Sequence, residues 1–355
     1  MLNAGLRLLA KNPIFRFAMS FRFELAESLP HGIARIADER IQKIRGNLGD
    51  KGLPDAEGVH EARKELKTIR GFLRLIRGVL SNDQRRQLNG LFRDVGRQLA
   101  VSRDAAALAE AMDRTFGTGR KPTQKFHSLP SEGREILTGV RDQLTGEQKQ
   151  GLTSDGIGKA RALLTDAERL LKELLSDKST SVDLSWEDAI GLGLLKTYRR
   201  GRSHFDMIRS LGSENCSDEI WHEGRKLAKA FGYQLRCLKP MWPGAVNSLI
   251  DQIDFLTEHL GDDHDLALIR NRVLKQQPTS DRAENFLLAQ HSLVTSIDRR
   301  RRRLQRLAIH ESRLVYTEKP SAFISRVQSY WKIWTNTRPH IPVPGALVES
   351  NGAAG

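Results

Sequence analysis

Cysteine is nearly absent from this chain, with two in 355 residues, Cys216 and Cys237. That excludes a disulfide framework and any multi-cysteine zinc module, and it fits a reducing cytosol. Proline occurs at only 12 positions, and strand-like alternation is scarce. No apolar run reaches the roughly 18 residues that a membrane-spanning helix needs. Near the amino end Arg7 and Lys11 interrupt GLRLLAKNPIF, so a continuous secretory h-region is not expected there. Signatures of catalysis are missing too. HEAR and HEGR are not the HExxH zinc site, because Lys64 and Lys226 stand four residues after the respective histidines. There is no Walker loop and no GxSxG elbow, and Cys216 has no evident partner for nucleophilic chemistry. Acidic residues are outnumbered, 43 Asp plus Glu against 57 Lys plus Arg, for a net charge of +14. A surplus of that size favours a polyanionic partner, whether nucleic acid, polyphosphate or anionic lipid.

What is present is helical. With 39% hydrophobic and 28% charged residues the chain can bury a substantial core, and its apolar positions recur with period 3.6, which predicts an all-α fold. Residues 1–19 read as an amino-terminal extension, a weakly basic amphipathic arm for which Met19 offers a rival start. A helix capped by Ser28, with Pro30 in its first turn, is predicted to run to about Leu48. Further helices are predicted to about Leu80, from Ser81 through Leu99, from Arg103 to near Gly117, from Ser131 to about Leu144 and from Gly158 to Leu175. Residues 117–130 read as the loosest internal stretch, and 176–183 as a join. Beyond it come a helix carrying KTYRRGR, a break at Pro240 and Pro243, a helix over 244–260, a long arginine-rich helix and a last amphipathic helix after Pro320. Residues 336–355 read as a flexible tail.

One stretch organises the rest. In HEARKELKTIRGFLRLIR, residues 60–77, the residues His60, Arg63, Lys67, Arg70, Arg74 and Arg77 share one sector of roughly 100° on an ideal helix, beside an apolar seam. In HEGRKLAKAFGYQLRCLK the residues His222, Arg225, Lys229, Arg236 and Lys239 repeat five of the six offsets at a shift of 162 residues. Gly232 takes the place of Arg70. Candidate caps Asp55 and Ser217 repeat too, and RDAAAL from Arg103 answers HDLALI from His264 at a shift of 161. The pattern reads as an internal duplication.

In their order and spacing, the paired HxxRK helices, the RD and HDL turns, KTYRRGR and the ending YTEKPSAFISRVQSYWKIW resemble the CHAD family, the conserved-histidine α-helical domain, over residues 20–335. The resemblance implies two helical bundles, about 20–178 and 183–335, related by a pseudo-twofold axis around a basic central groove or pore that binds inorganic polyphosphate. It implies ligand residues His60, Arg63, Lys67 and Arg70 in the first half and His222, Arg225 and Lys229 in the second, with Arg199 and Arg202 as further basic positions. Arg74 and Arg236 continue the two rows. Thr68 and Ala230 stand where relatives often carry a basic residue, and Ala106 replaces an acid of the usual turn. The second half is therefore expected to grip less firmly. With such a ligand the expected place is the cytoplasm, at polyphosphate granules, and no cofactor is required.

A chain of phosphates presents repeated negative charge with no base edges, which suits rows of Arg and Lys spaced about 5.4 Å per helical turn. Histidines near helix amino ends are expected to tighten binding as pH falls through about 6.5. Nucleic acid is the alternative partner, although Phe72 is the only aromatic residue within the first basic helix, off its basic sector. A metal-chelating or scaffold domain is a third reading, with Asp262, Asp263, His264 and Asp265 as the best metal candidate. His264 is expected to act as a cap or turn anchor, and Arg103 to pair with a carboxylate. In the run Arg299–Arg303, Arg299 and Arg302 can share a side with Arg303 and Arg306, either lining a groove or as ordinary exposed charge. Catalysis is not expected, since enzymes that cleave phosphate chains need carboxylates to hold Mg²⁺.

Overall fold

The computed structural model describes residues 21–119, 121–149, 153–176, 184–278 and 283–337, and among them every regular element is helical. Local chemistry sets the helix starts. The Ser28 hydroxyl accepts the His31 N–H and Pro30 sits in the first turn of α1, Leu29–Leu48. Asp55 opens α2, Ala56–Leu75, by accepting the Gly58 N–H at 2.7 Å. Ser81 and Gln84 form a reciprocal capping box at the start of α3, Asn82–Gln98. Next come α4, Val101–Phe116, ended by Gly117 at φ 73°, a short α5, Gln124–His127, then α6, Ser131–Lys149, and α7, Ser154–Ser176. A π-helical turn, Glu187–Gly191, leads into α8, Leu192–Leu211, followed by α9, Asp218–Leu238. Pro240 and Pro243 separate α9 from α10, Pro243–Leu274, and the chain closes with α11, Ala283–Val315, and α12, Pro320–Asn336.

Several expectations need correction. The first basic helix stops at Leu75 rather than Leu80, which leaves Arg77 in the turn beyond it. The HDL stretch is no turn, for α10 runs unbroken through GDDHDLALI, where no proline interrupts it. RDAAAL likewise lies inside α4. The loose stretch 117–130 holds α5, and α6 and α7 each run longer than their periodicity suggested. The amino-terminal extension, all but the first residue of the join 176–183, the side chain of Arg103 and the tail beyond Thr337 lie outside the described residues.

The buried residues do not divide where the sequence halves divide. One core gathers α1, α2, α3 and α7 with α8, α9, α12 and the adjoining parts of α10 and α11, through Ile36, Phe72, Phe92, Leu164, Tyr198, Phe231 and Phe323. A second core joins α4 and α6 to the carboxyl-terminal part of α10 and the amino-terminal part of α11, through Met112, Leu137, Val140, Ile269 and Leu293. Within the first core α2 and α9 pack side by side. Gly71 makes that approach possible, since even a Cβ there would lie 3.0 Å from the Tyr233 Cβ. The two histidine-headed helices thus become neighbours.

Candidate functional site

The α2–α9 contact has a basic depression on each side, and the two share no lining residue. The larger, a groove of about 590 Å³, takes His60, Arg63, Lys67 and Thr68 from α2 and Arg225, Lys229, Tyr233 and Arg236 from α9. The smaller, about 200 Å³, takes Arg74 from α2, Arg77 from the turn beyond it, Arg85 from α3, Lys196 and Arg200 from α8, and Glu223 and Lys226 from α9. The single row read from residues 60–77 is therefore divided. Its amino-terminal part faces the groove and its carboxyl-terminal part faces the cleft.

Helical spacing explains the second division. Arg225, Lys229, Tyr233 and Arg236 fall within about 80° of the α9 circumference, while Glu223, Lys226, Leu227 and Ala230 occupy a separate sector of about 100°. Gln234 is buried between the depressions, its Nε2 donating to Thr197 Oγ1 at 3.0 Å and to the Gly71 carbonyl at 3.5 Å.

Many cations of the groove are already engaged. Arg63 donates to the Leu99 and Ala100 carbonyls at 3.1 and 3.0 Å and to Asp104 at 2.7 Å, so it ties the α3–α4 junction to α2. Arg236 holds both oxygens of Asp254, at 2.6 and 2.7 Å, and lies over the Tyr233 ring. Buried Arg40 pairs with Glu65 at 3.0 Å and covers the Phe21 ring at 5.4 Å. Arg70 leaves the row for Asn89 of α3, at 2.9 Å. Burial and the neighbouring Arg93 charge lower its affinity for its proton.

Arg225 and Lys229 differ. Neither has a hydrogen bond or ion pair among the described residues, and the buried Nε of Arg225 is unpartnered. Burial, with the Arg225 and Lys67 charges, brings the Lys229 ammonium down to about 8, against the weaker opposing pull of Asp265 and Asp254.

His60 lines the groove, but His222 does not. The His222 ring stacks on His264 with centroids 4.4 Å apart, and its Nδ1 is buried without a partner. Burial, with Lys226 and Arg225, holds the His222 imidazole below its ordinary value. Burial, His222 and Arg225 bring His264 down to about 4. Burial favours the neutral form of both rings, which opposes the expected tightening of binding through about 6.5 at this pair.

Nor is His264 a turn anchor, since it sits in mid-helix. The acids around it diverge. Buried Asp263 accepts from Arg301 and Gln305, each at 3.0 Å, while Asp265 faces Arg114 at 3.8 Å. Among the described residues no three His, Cys, Asp or Glu side chains converge as a metal site.

Four other predicted positions lie outside both depressions. Arg202 donates to the Glu318 carbonyl and approaches Asp206, so it anchors the start of α12. Arg199, Arg299 and Arg302 are exposed and line neither depression. Within the arginine run it is Arg301 that turns inward. Its Nη2 reaches Asp218 at 2.5 Å and its Nε reaches Asp263 at 3.0 Å. In KTYRRGR the cations that line the cleft are Lys196 and Arg200, four residues apart.

The CHAD domain family model matches residues 35–274, roughly two thirds of the chain, and the match contains α2, α9 and both depressions except for Phe21. The chain belongs to the CHAD domain family. A comparison with curated proteins finds no match. In this CHAD domain no helix of the described residues is long and apolar enough to cross a membrane.

Proposed function

We propose that this CHAD domain binds inorganic polyphosphate in the groove between α2 and α9, without cleaving it. The observation that carries the reading is the concentration of Arg225, Lys229 and Lys67 in one groove, where burial and then the neighbouring Arg225 and Lys67 charges lower the Lys229 pKa to about 8. A phosphate chain relieves that repulsion at several points at once, and the Arg225 guanidinium can offer two parallel N–H donors to one phosphate.

The carboxylates of the groove are turned toward arginines. Glu65 pairs with Arg40, Asp104 with Arg63 and Asp254 with Arg236, while Asp265 faces Arg114. Such acids are engaged rather than poised to hold Mg²⁺ against a scissile phosphate, which supports binding over hydrolysis. Two aromatic rings, Phe21 and Tyr233, do line the groove. Arg40 covers the first ring and Arg236 the second. Rings already covered by guanidinium groups are poor platforms for nucleobases, so the groove favours a ligand without bases.

The test is a competition titration at about 0.15 M salt. Labelled long-chain polyphosphate is challenged by charge-matched RNA, with a Lys67→Ala, Arg225→Ala, Lys229→Ala variant alongside. Polyphosphate is expected to win by more than tenfold, about 1.4 kcal/mol, and the folded variant is expected to lose at least that much. Equal competition by RNA, or unchanged binding by the variant, refutes the proposal.

A further inference from the structure

The smaller cleft is a different object from the groove. Six cations surround it, Arg74, Arg77, Arg85, Lys196, Arg200 and Lys226, against the single carboxylate of Glu223. Glu223 is shared between Lys226 at 3.3 Å and Arg200 at 3.7 Å. For Arg77 and Arg85 the neighbour is the neutral amide of Asn82, at 3.5 and 3.3 Å, and the Arg85 Nε is buried without a partner. Arg74 and Lys196 have no ion pair among the described residues. Three of the six are held below their ordinary values. Burial and the Arg70 and Arg200 charges depress Arg74, burial with Arg85 and Arg200 depresses Arg77, and Arg77 with burial and Arg85 depresses Lys196. The floor is small and apolar, formed by Leu227 and Ala230.

We infer that this cleft is a second anion site, closed off from the groove, that takes a compact oligophosphate such as a diphosphate or triphosphate group. Charge demands a multivalent anion, since a monovalent one leaves most of the six cations facing each other. Geometry demands a short one, because the cleft has about a third of the groove's volume and Gln234 and the Gly71–Tyr233 contact seal the way between them. Four guanidinium groups, those of Arg74, Arg77, Arg85 and Arg200, suit phosphate oxygens, which they bind in pairs. The inference shares with the proposed function only the chemistry of the ligand.

Calorimetric titration of the full chain with inorganic tripolyphosphate tests it, at about 0.15 M salt. Wild type is expected to bind two equivalents. The variant Arg77→Ala, Arg85→Ala, Lys196→Ala is expected to bind one, with long-chain polyphosphate affinity within about threefold of wild type. The variant Arg225→Ala, Lys229→Ala is expected to keep one equivalent and to lose long-chain binding. Should the triple variant not fold, the exposed pair Lys196→Ala, Lys226→Ala is expected to weaken one of the two equivalents by about tenfold. Two undiminished equivalents in the cleft variants, or a single equivalent that either set abolishes, overturns the inference. If the cleft variants behave as expected but the groove variant keeps long-chain binding, the cleft stands and the proposed function fails.

Discussion

Lys229 is an ammonium set among cations from two helices, with Arg225 on α9 and Lys67 on α2, and with Asp265 and Asp254 of α10 as the carboxylates facing it. Its position makes a pH prediction with a definite sign. Free, it titrates at about 8; if the groove takes phosphate as proposed, the phosphate oxygens are expected to raise it back toward the ordinary value of about 10.4. Binding then takes up a proton between those values, so affinity is full below pH 8 and falls as pH rises through it. Calorimetry at pH 8 in two buffers of different ionisation enthalpy reads that uptake directly, and Lys229→Arg is expected to remove it. Proton release, or no proton exchange in wild type, is incompatible with this role for Lys229. Folding has the opposite pH dependence. The folded-state value lies below the unfolded one, so the strain of a charged Lys229 is present below about 8 and is relieved as pH rises from there toward 10.4. Arg301 illustrates a cation with a structural role. Asp263 is 2% exposed and depends on it, so Arg301→Ala is expected to cost about 3–5 kcal/mol in denaturant unfolding. Arg301→Ala is also expected to leave polyphosphate affinity unchanged once the variant is folded; a loss of affinity places Arg301 in the binding surface after all.

At the scale of elements, the division of the α2 row depends on how closely its carboxyl end is approached. A Cβ on Gly193 of α8 would overlap the Leu75 carbonyl oxygen, and one on Gly78 would overlap the Asp188 carbonyl oxygen in the π-helical turn. Backbone meets backbone at both points, which pins Arg74 and Arg77 against Lys196 and Arg200. Gly193→Ala is therefore expected to destabilise by about 1–3 kcal/mol. The measurement is urea unfolding, and a variant as stable as wild type shows that the two helices can part without cost. Helix existence and starts were legible in the residues because caps are local: Ser28, Asp55 and Ser81 each sit immediately before the helix they open. Ends were less legible. Leu75 closes α2 where α8 and the π-helical turn approach its backbone, and Gly78 is the one local sign of that end in 76–80.

Across the whole molecule, α10 and α11 each contribute to both buried cores. Loosening one core strains helices that the other core holds, so unfolding is expected to be a single transition in calorimetry, with equal calorimetric and van't Hoff enthalpies. Leu293→Ala in the second core is expected to move that whole transition to lower temperature, at a cost of about 2–5 kcal/mol. Two separable transitions contradict the coupling. The sequence by itself determined the all-helical class, the period-3.6 seams, most helix starts and the two basic rows, because all of these depend on neighbours within one or two turns. Only the tertiary structure decided which cations are engaged and which face an open groove. Arg63 meets Asp104, Arg40 meets Glu65 and Arg301 meets Asp263 across 41, 25 and 38 residues, whereas Arg225 and Lys229 meet other cations. Charge pairing is a property of which helix packs opposite, and that is settled by the burial of apolar seams shared among distant helices rather than by the charges themselves.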